Sequence, residues 1–127
     1  MNESAPKVFI VDDDAAVRDS SSLLIELEGY TVETYASAAA FLAACGPKSR
    51  GCAIIDLRMP GMGGLQLQEE MARRGFVLPI IFLTAYADTP TSVTALKAGA
   101  VAFLSKPITT PDLLRNIAAT MALAKEA

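Results

Sequence analysis

At 127 residues, 52% of them hydrophobic and 20% charged, the chain is long enough for one well-buried domain and too short for two. Histidine is absent, which removes Ser-His-Asp triads, imidazole general bases and nearly every zinc site. The formal net charge of −3 leaves no basic surplus for neutralising phosphates, so direct nucleic-acid binding by this domain is not expected.

Residues 1–6 are polar, carry no apolar signal core and are expected to be a tail ahead of a domain over 7–127. The first apolar run, Val8-Phe9-Ile10-Val11, predicts a strand that ends on Asp12-Asp13-Asp14. A helix is predicted from near Asp14, its cap, to Gly29, with Val17, Leu24 and Leu27 on a shared face. Thr31-Val32-Glu33-Thr34-Tyr35 alternates, as an edge strand does, and Ser37 then caps a helix that stops at Gly46-Pro47. The third run, Cys52-Ala53-Ile54-Ile55, ends on Asp56. Cys52 is expected to be a small core residue, and Cys45 has no second pair with which to build a metal site. A helix over 65–74 stops at Gly75, and Pro79-Ile80-Ile81-Phe82-Leu83 ends on Thr84. Thr89-Pro90 opens the fourth helix, which ends at Gly99, and Val101-Ala102-Phe103-Leu104 leads into Ser105-Lys106. Thr110-Pro111-Asp112 opens the last helix, with Leu114, Ile117, Ala118 and Met121 at helical spacing. All runs but the second are continuous and are predicted to be buried on both faces.

Strands alternating with helices make an α/β domain with a parallel sheet and right-handed crossovers. A closed barrel needs eight such units, so an open, doubly wound, flavodoxin-like (βα)5 sheet of order 2-1-3-4-5 is predicted. No apolar stretch approaches the ~20 residues that cross a bilayer, and a cytoplasmic protein is expected.

In an open parallel sheet the carboxyl ends of the strands share one rim, where ligands bind. Here that rim receives Asp12, Asp13, Asp56, Thr84 and Lys106. An aspartate after a strand is often only a helix cap. Asp56, however, is followed by Leu57-Arg58-Met59-Pro60-Gly61, which is neither cap nor helix. Clustered carboxylates repel one another unless a cation joins them, and an all-oxygen set of modest size favours magnesium. With such an ion in place a carboxylate can act as nucleophile towards a phosphoryl group, while a lysine and a hydroxyl balance its oxygens.

Four motifs, Val11-Asp12-Asp13, Asp56-Leu57-Arg58-Met59-Pro60-Gly61, Leu83-Thr84-Ala85 and Phe103-Leu104-Ser105-Lys106-Pro107, occur in order at successive strand ends. In this the chain resembles, over nearly its whole length, the receiver domain of two-component response regulators, above all receivers joined to LuxR-type helix-turn-helix outputs. The resemblance implies that Asp56 is the phosphoacceptor, taking its phosphoryl group from a phosphohistidine on a sensor histidine kinase or histidine phosphotransfer protein. It implies that Asp13 and Asp56 ligate Mg2+ directly, that Asp12 holds it mainly through water, and that Arg58 adds its backbone carbonyl. Lys106 and Thr84 would contact the phosphoryl oxygens. Phe103 would be the switch aromatic, and the Lys106-Pro107 bond would be cis. Such a domain is not a conventional enzyme: it catalyses its own phosphorylation and dephosphorylation. Phosphorylation would draw Thr84 inward, let Phe103 rotate and reshape the surface of the fourth helix, fifth strand and fifth helix, with 85–89 as the moving loop and a homodimer as one outcome. Arg58 and Tyr86 would border the path of the attacking water.

Competing readings are weaker. An aspartyl phosphatase would place a second carboxylate where Arg58 stands. A flavin binder would have a Ser/Thr/Gly-rich phosphate loop where three aspartates stand. A receiver used only as an unphosphorylated docking module would not need all five rim residues.

Overall fold

Each apolar run becomes a strand and each capped amphipathic stretch a helix in the computed structural model, which describes residues 6–85 and 89–126. In order the elements are β1 (Lys7–Val11), α1 (Ala15–Leu27), β2 (Val32–Tyr35), α2 (Ala38–Ala44), β3 (Gly51–Ile55), α3 (Gly64–Arg73), β4 (Ile80–Thr84), α4 (Thr89–Lys97), β5 (Ala102–Ser105) and α5 (Thr110–Glu126). Two caps act as predicted, while the cap of α5 is Thr109, which accepts from the Asp112 amide at 3.3 Å, and not Thr110. Asp14 accepts from the Ala16 and Val17 amides at 2.9 and 3.3 Å, and Ser37 accepts from the Ala40 amide at 3.1 Å.

All strand pairs are parallel and the order is β2-β1-β3-β4-β5, as predicted for a doubly wound sheet. Alternate residues of each strand feed two separate cores. Phe9, Val11, Ile55 and Phe82 meet Phe41 of α2, Leu67 and Met71 of α3 and Ala95 of α4 on one face. Val8, Ile10, Ile54 and Ile81 meet Ile25 of α1 and Leu113 and Ile117 of α5 on the other. Cys52 is buried, as expected, and both cysteines are free thiols.

Two further expectations fail. β5 is not buried on both faces: with β2 it is one of the two edge strands, and its residues remain partly or fully open because no strand lies beyond it. The predicted apolar face of α1 holds only at Val17, which is half-buried. Leu24 and Leu27 are exposed, Leu27 by 72%, and Ile25 is the residue that enters the core. The helix is rotated so that Arg18, Ser21, Ser22 and Ile25 face inward, and Arg18 Nη1 donates to the Asp12 carbonyl at 2.7 Å. The leucine spacing alone misreads this face, because the buried apolar residue of the helix is Ile25.

Among the described residues, no helix is long and apolar enough to cross a membrane.

Candidate functional site

The strand register builds the site. Val11 is paired with Ile55, and the Asp56 amide donates to the Val11 carbonyl at 2.9 Å, so Asp12 and Asp56 emerge side by side. On the far side of β4, Thr84 is paired with Ser105, and the Lys106 amide donates to the Thr84 carbonyl at 2.8 Å. The Lys106–Pro107 peptide is cis, as expected. Close packing of α3 completes the arrangement. A Cβ on Gly64 would lie 2.8 Å from the Asp56 carbonyl oxygen and 2.9 Å from Leu57 Cα, so only glycine lets α3 start this near the strand end.

Carboxylate oxygens of Asp12, Asp13 and Asp56 lie within 4.8 Å of one another. Asp12 is buried, Asp56 is partly buried and Asp13 is exposed, so the cluster opens to solvent on the Asp13 side. Lys106 Nζ stands 3.2 Å from Asp12 Oδ2 and 3.7 Å from Asp56 Oδ2, answering part of the charge. The Asp14 amide donates to Asp12 Oδ1 at 2.9 Å, and the Arg58 amide approaches Asp56 Oδ1 at 3.4 Å. Burial, and then the neighbouring Asp12 carboxylate, push the Asp56 carboxyl above the usual range. Lys106, the Arg58 amide and the Thr84 hydroxyl oppose that rise. The donor set is all oxygen, carries a charge surplus and opens to water, which suits a hard divalent cation.

Five of the residues singled out by sequence, Asp12, Asp13, Asp56, Thr84 and Lys106, therefore converge on one rim. Thr84 is fully buried there, beside Asp56. Arg58 directs its backbone at the cluster while the residue as a whole is exposed. Phe103 stands apart from the carboxylates. It is half-buried on β5, with its ring centroid 5.8 Å from that of Phe82. Tyr86 and most of the 85–89 loop fall outside the described residues. Sequence reasoning missed Arg18, whose guanidinium secures the backbone of Asp12. Its only sequence signal is its place one turn past the Asp14 cap.

Comparison with known proteins gives one consistent answer. A family model described as "Response regulator receiver domain" matches residues 8–118. The transcriptional regulatory protein TdiR of Thauera aromatica is 46% identical over 123 residues, which cover 97% of this chain and 54% of that protein. The transcriptional regulatory protein FixJ of Azorhizobium caulinodans is 42% identical over 126 residues, covering 99% of this chain and 59% of the relative. The solved structure of the response regulator StyR superposes with a TM-score of 0.89 at 43% identity, covering 95% of this chain and 61% of that one. The chain thus spans a little over half the length of these relatives.

Proposed function

The chain belongs to the response regulator receiver domain family, and from that premise we propose that Asp56 accepts a phosphoryl group from a phosphohistidine on a partner protein and that the domain relays the event through its α4–β5–α5 surface. The observation that carries this reading is the meeting of three carboxylates, one lysine and a buried threonine hydroxyl at the carboxyl rim. Membership implies a cognate histidine kinase. The donor is a sensor histidine kinase or a histidine phosphotransfer protein, and it supplies the imidazole that this chain lacks.

Asp13 and Asp56 would hold Mg2+ directly, Asp12 through water, and Arg58 through its backbone carbonyl. Bound there, the ion neutralises the carboxylates and the phosphoryl oxygens together. Asp56 Oδ attacks phosphorus in line. The P–N bond to the donor imidazole breaks, the nitrogen keeps its electron pair, and an acyl phosphate remains on Asp56. Lys106, now pairing with Asp12 and Asp56, turns to the new phosphoryl oxygens, and Thr84 donates its hydroxyl to another. The added charge of roughly −1.5 to −2 supplies the driving force. Thr84 moves towards the rim, and Phe103, which has no hydroxyl, signals through the position of its ring beside Phe82. Water later attacks the acyl phosphate and resets Asp56.

In the wider protein, transcriptional control is the output this reading favours, since TdiR and FixJ are named as transcriptional regulatory proteins. α4 leaves Val93 and Leu96 exposed, as a phosphorylation-dependent homodimer through this face requires.

Incubation with a small phosphodonor and Mg2+, followed by intact mass, tests the central step. One phosphoryl addition is expected, absent in Asp56→Asn and absent when the cation is chelated. No addition, or one that persists in Asp56→Asn, overturns the assignment.

A further inference from the structure

α4 is thinly seated on the sheet. Of its side chains whose burial is described, only Ala95 is buried, while Val93 and Leu96 face solvent. Beneath its carboxyl end runs a groove of about 360 Å3, lined by Gln68, Met71, Phe76, Leu78, Ala98 and Gly99 among others, so packing there is incomplete. A polar tether from α3 crosses to it. Gln68 of α3 is 4% exposed, and its Nε2 donates to the Ala95 carbonyl at 2.9 Å, from 27 residues away in the chain. A buried glutamine is uncommon and is tolerated only when its amide is bonded.

The acceptor is a special one. The Ala100 amide also donates to the Ala95 carbonyl, at 3.1 Å, and the Gly99 amide donates to the Leu96 carbonyl at 3.1 Å, with Gly99 at φ +108°. These two bonds close the end of the helix in a Schellman turn, and Gln68 grips the same carbonyl from the neighbouring helix. The last turn of α4, its closing turn and α3 are thereby joined at one oxygen.

We propose that Gln68 is the positioning residue of α4. It holds the carboxyl end of the helix against α3 as a fixed pivot, and the part of α4 before Ala95 is what moves when the rim is phosphorylated. The second half of this statement rests on the proposed function. The first half does not.

Gln68→Met keeps length and burial but cannot donate, and Gln68→Glu keeps shape but presents a carboxylate to a carbonyl. Backbone amide hydrogen exchange in the unphosphorylated protein is the first readout. Both variants are expected to speed exchange of amides 96–100 about tenfold, the equivalent of one lost hydrogen bond, with β1 and β3 unchanged. Unchanged exchange in α4, or equal acceleration throughout the sheet, makes Gln68 only a core residue and overturns the proposal. The second readout is the map of amide chemical-shift changes produced by beryllofluoride with Mg2+. In the wild-type domain the changes are expected to stop short of residues 95–99, and in Gln68→Met to extend through them. Changes that already run through Gly99 in the wild type overturn the pivot. A wild-type domain that responds nowhere instead refutes the phosphoryl reading, while hydrogen exchange still decides whether Gln68 anchors α4.

Discussion

The edge strands β2 and β5 are equally open, three residues half-buried and one exposed in each, but over β2 an aromatic cluster closes the core, and among the described residues none does so at β5. The β2 edge is covered by α2, whose Phe41 is fully buried and meets Phe9, Tyr35 and Phe76 at ring separations of 6.0, 5.6 and 5.8 Å. A polar chain seals the strand: Lys7 bonds Glu33 at 2.6 Å, Tyr35 donates to Glu33 at 2.6 Å, and Cys45 Sγ reaches the Tyr35 hydroxyl at 3.5 Å. Burial and the bond to Glu33 raise the Tyr35 hydroxyl above its ordinary value, and burial raises the Cys45 thiol, so both stay neutral donors. Among the described residues the β5 edge has one ring pair, Phe82 with Phe103, and exposed Val93, Leu96 and Val101 around it. Both edges flank the same acidic rim. Under the proposed relay the β5 side is the one that responds, since a few kcal/mol of local charge cannot shift a close-packed aromatic cluster but can shift a helix of which only Ala95 is buried among the side chains described.

The largest expected effect lies on the closed side. Phe41→Ala should cost about 3–5 kcal/mol in chemical denaturation, because it empties the centre of the ring cluster. A loss below ~1 kcal/mol would erase the contrast between the edges. Next comes Gly64→Ala, at the rim both edges share. Its Cβ would meet the Asp56 backbone at 2.8 Å, so a loss of about 1–3 kcal/mol is expected. Phosphoryl incorporation, followed by mass, should slow with it, and a variant that keeps both stability and rate would show that α3 need not approach so closely.

A smaller effect separates the edges by pH. Lys7 and then Tyr35 hold the Glu33 carboxyl below the ordinary glutamate value of 4.5. A carboxyl lowered in the folded state contributes stability above its unfolded value and loses it as pH falls through its folded value. Glu33→Gln should therefore cost about 0.2–1 kcal/mol at pH 7, reduced because the pair is partly open to water, and the gap should shrink as pH falls below 4.5 through the lowered folded value. Denaturation of both proteins at pH 7 and pH 3.5 measures this, and an equal gap at both values would remove the ion pair from the account. Least of all should Leu96→Ser change stability, by no more than ~0.5 kcal/mol, since Leu96 is already exposed. Light scattering of the beryllofluoride form should nonetheless lose the doubling in mass expected of the wild type. Doubling that survives would move the dimer contact off this face.

Much of the site was legible because chemistry and topology coincide in a parallel sheet. Asp12, Asp56, Thr84 and Lys106 each follow an apolar run, and runs linked by helices must bring their carboxyl ends to one side. Arg18 and Gln68 left no comparable trace. Each donates to a backbone carbonyl, which every residue carries, so no partner residue marks the bond in the sequence. The exposed leucines of α1 misled for a related reason. Apolar spacing shows that a helix has a face but not which of its apolar residues meets the core, and here Ile25 does while Leu23, Leu24 and Leu27 face out.

The sequence by itself determined the alternation of strands and helices, the helix stops and the caps at Asp14 and Ser37, and the residues delivered to the rim, because these depend on local spacing, local hydrogen bonding and chain connectivity. Only the tertiary structure decided how close the three carboxylates stand, which face of α1 would turn inward, and how α4 would sit. Those depend on distances between segments far apart in the chain. The absence of histidine and the charge of −3 excluded functions, whereas the 4.8 Å cluster with Lys106 beside it gives the remaining function a place.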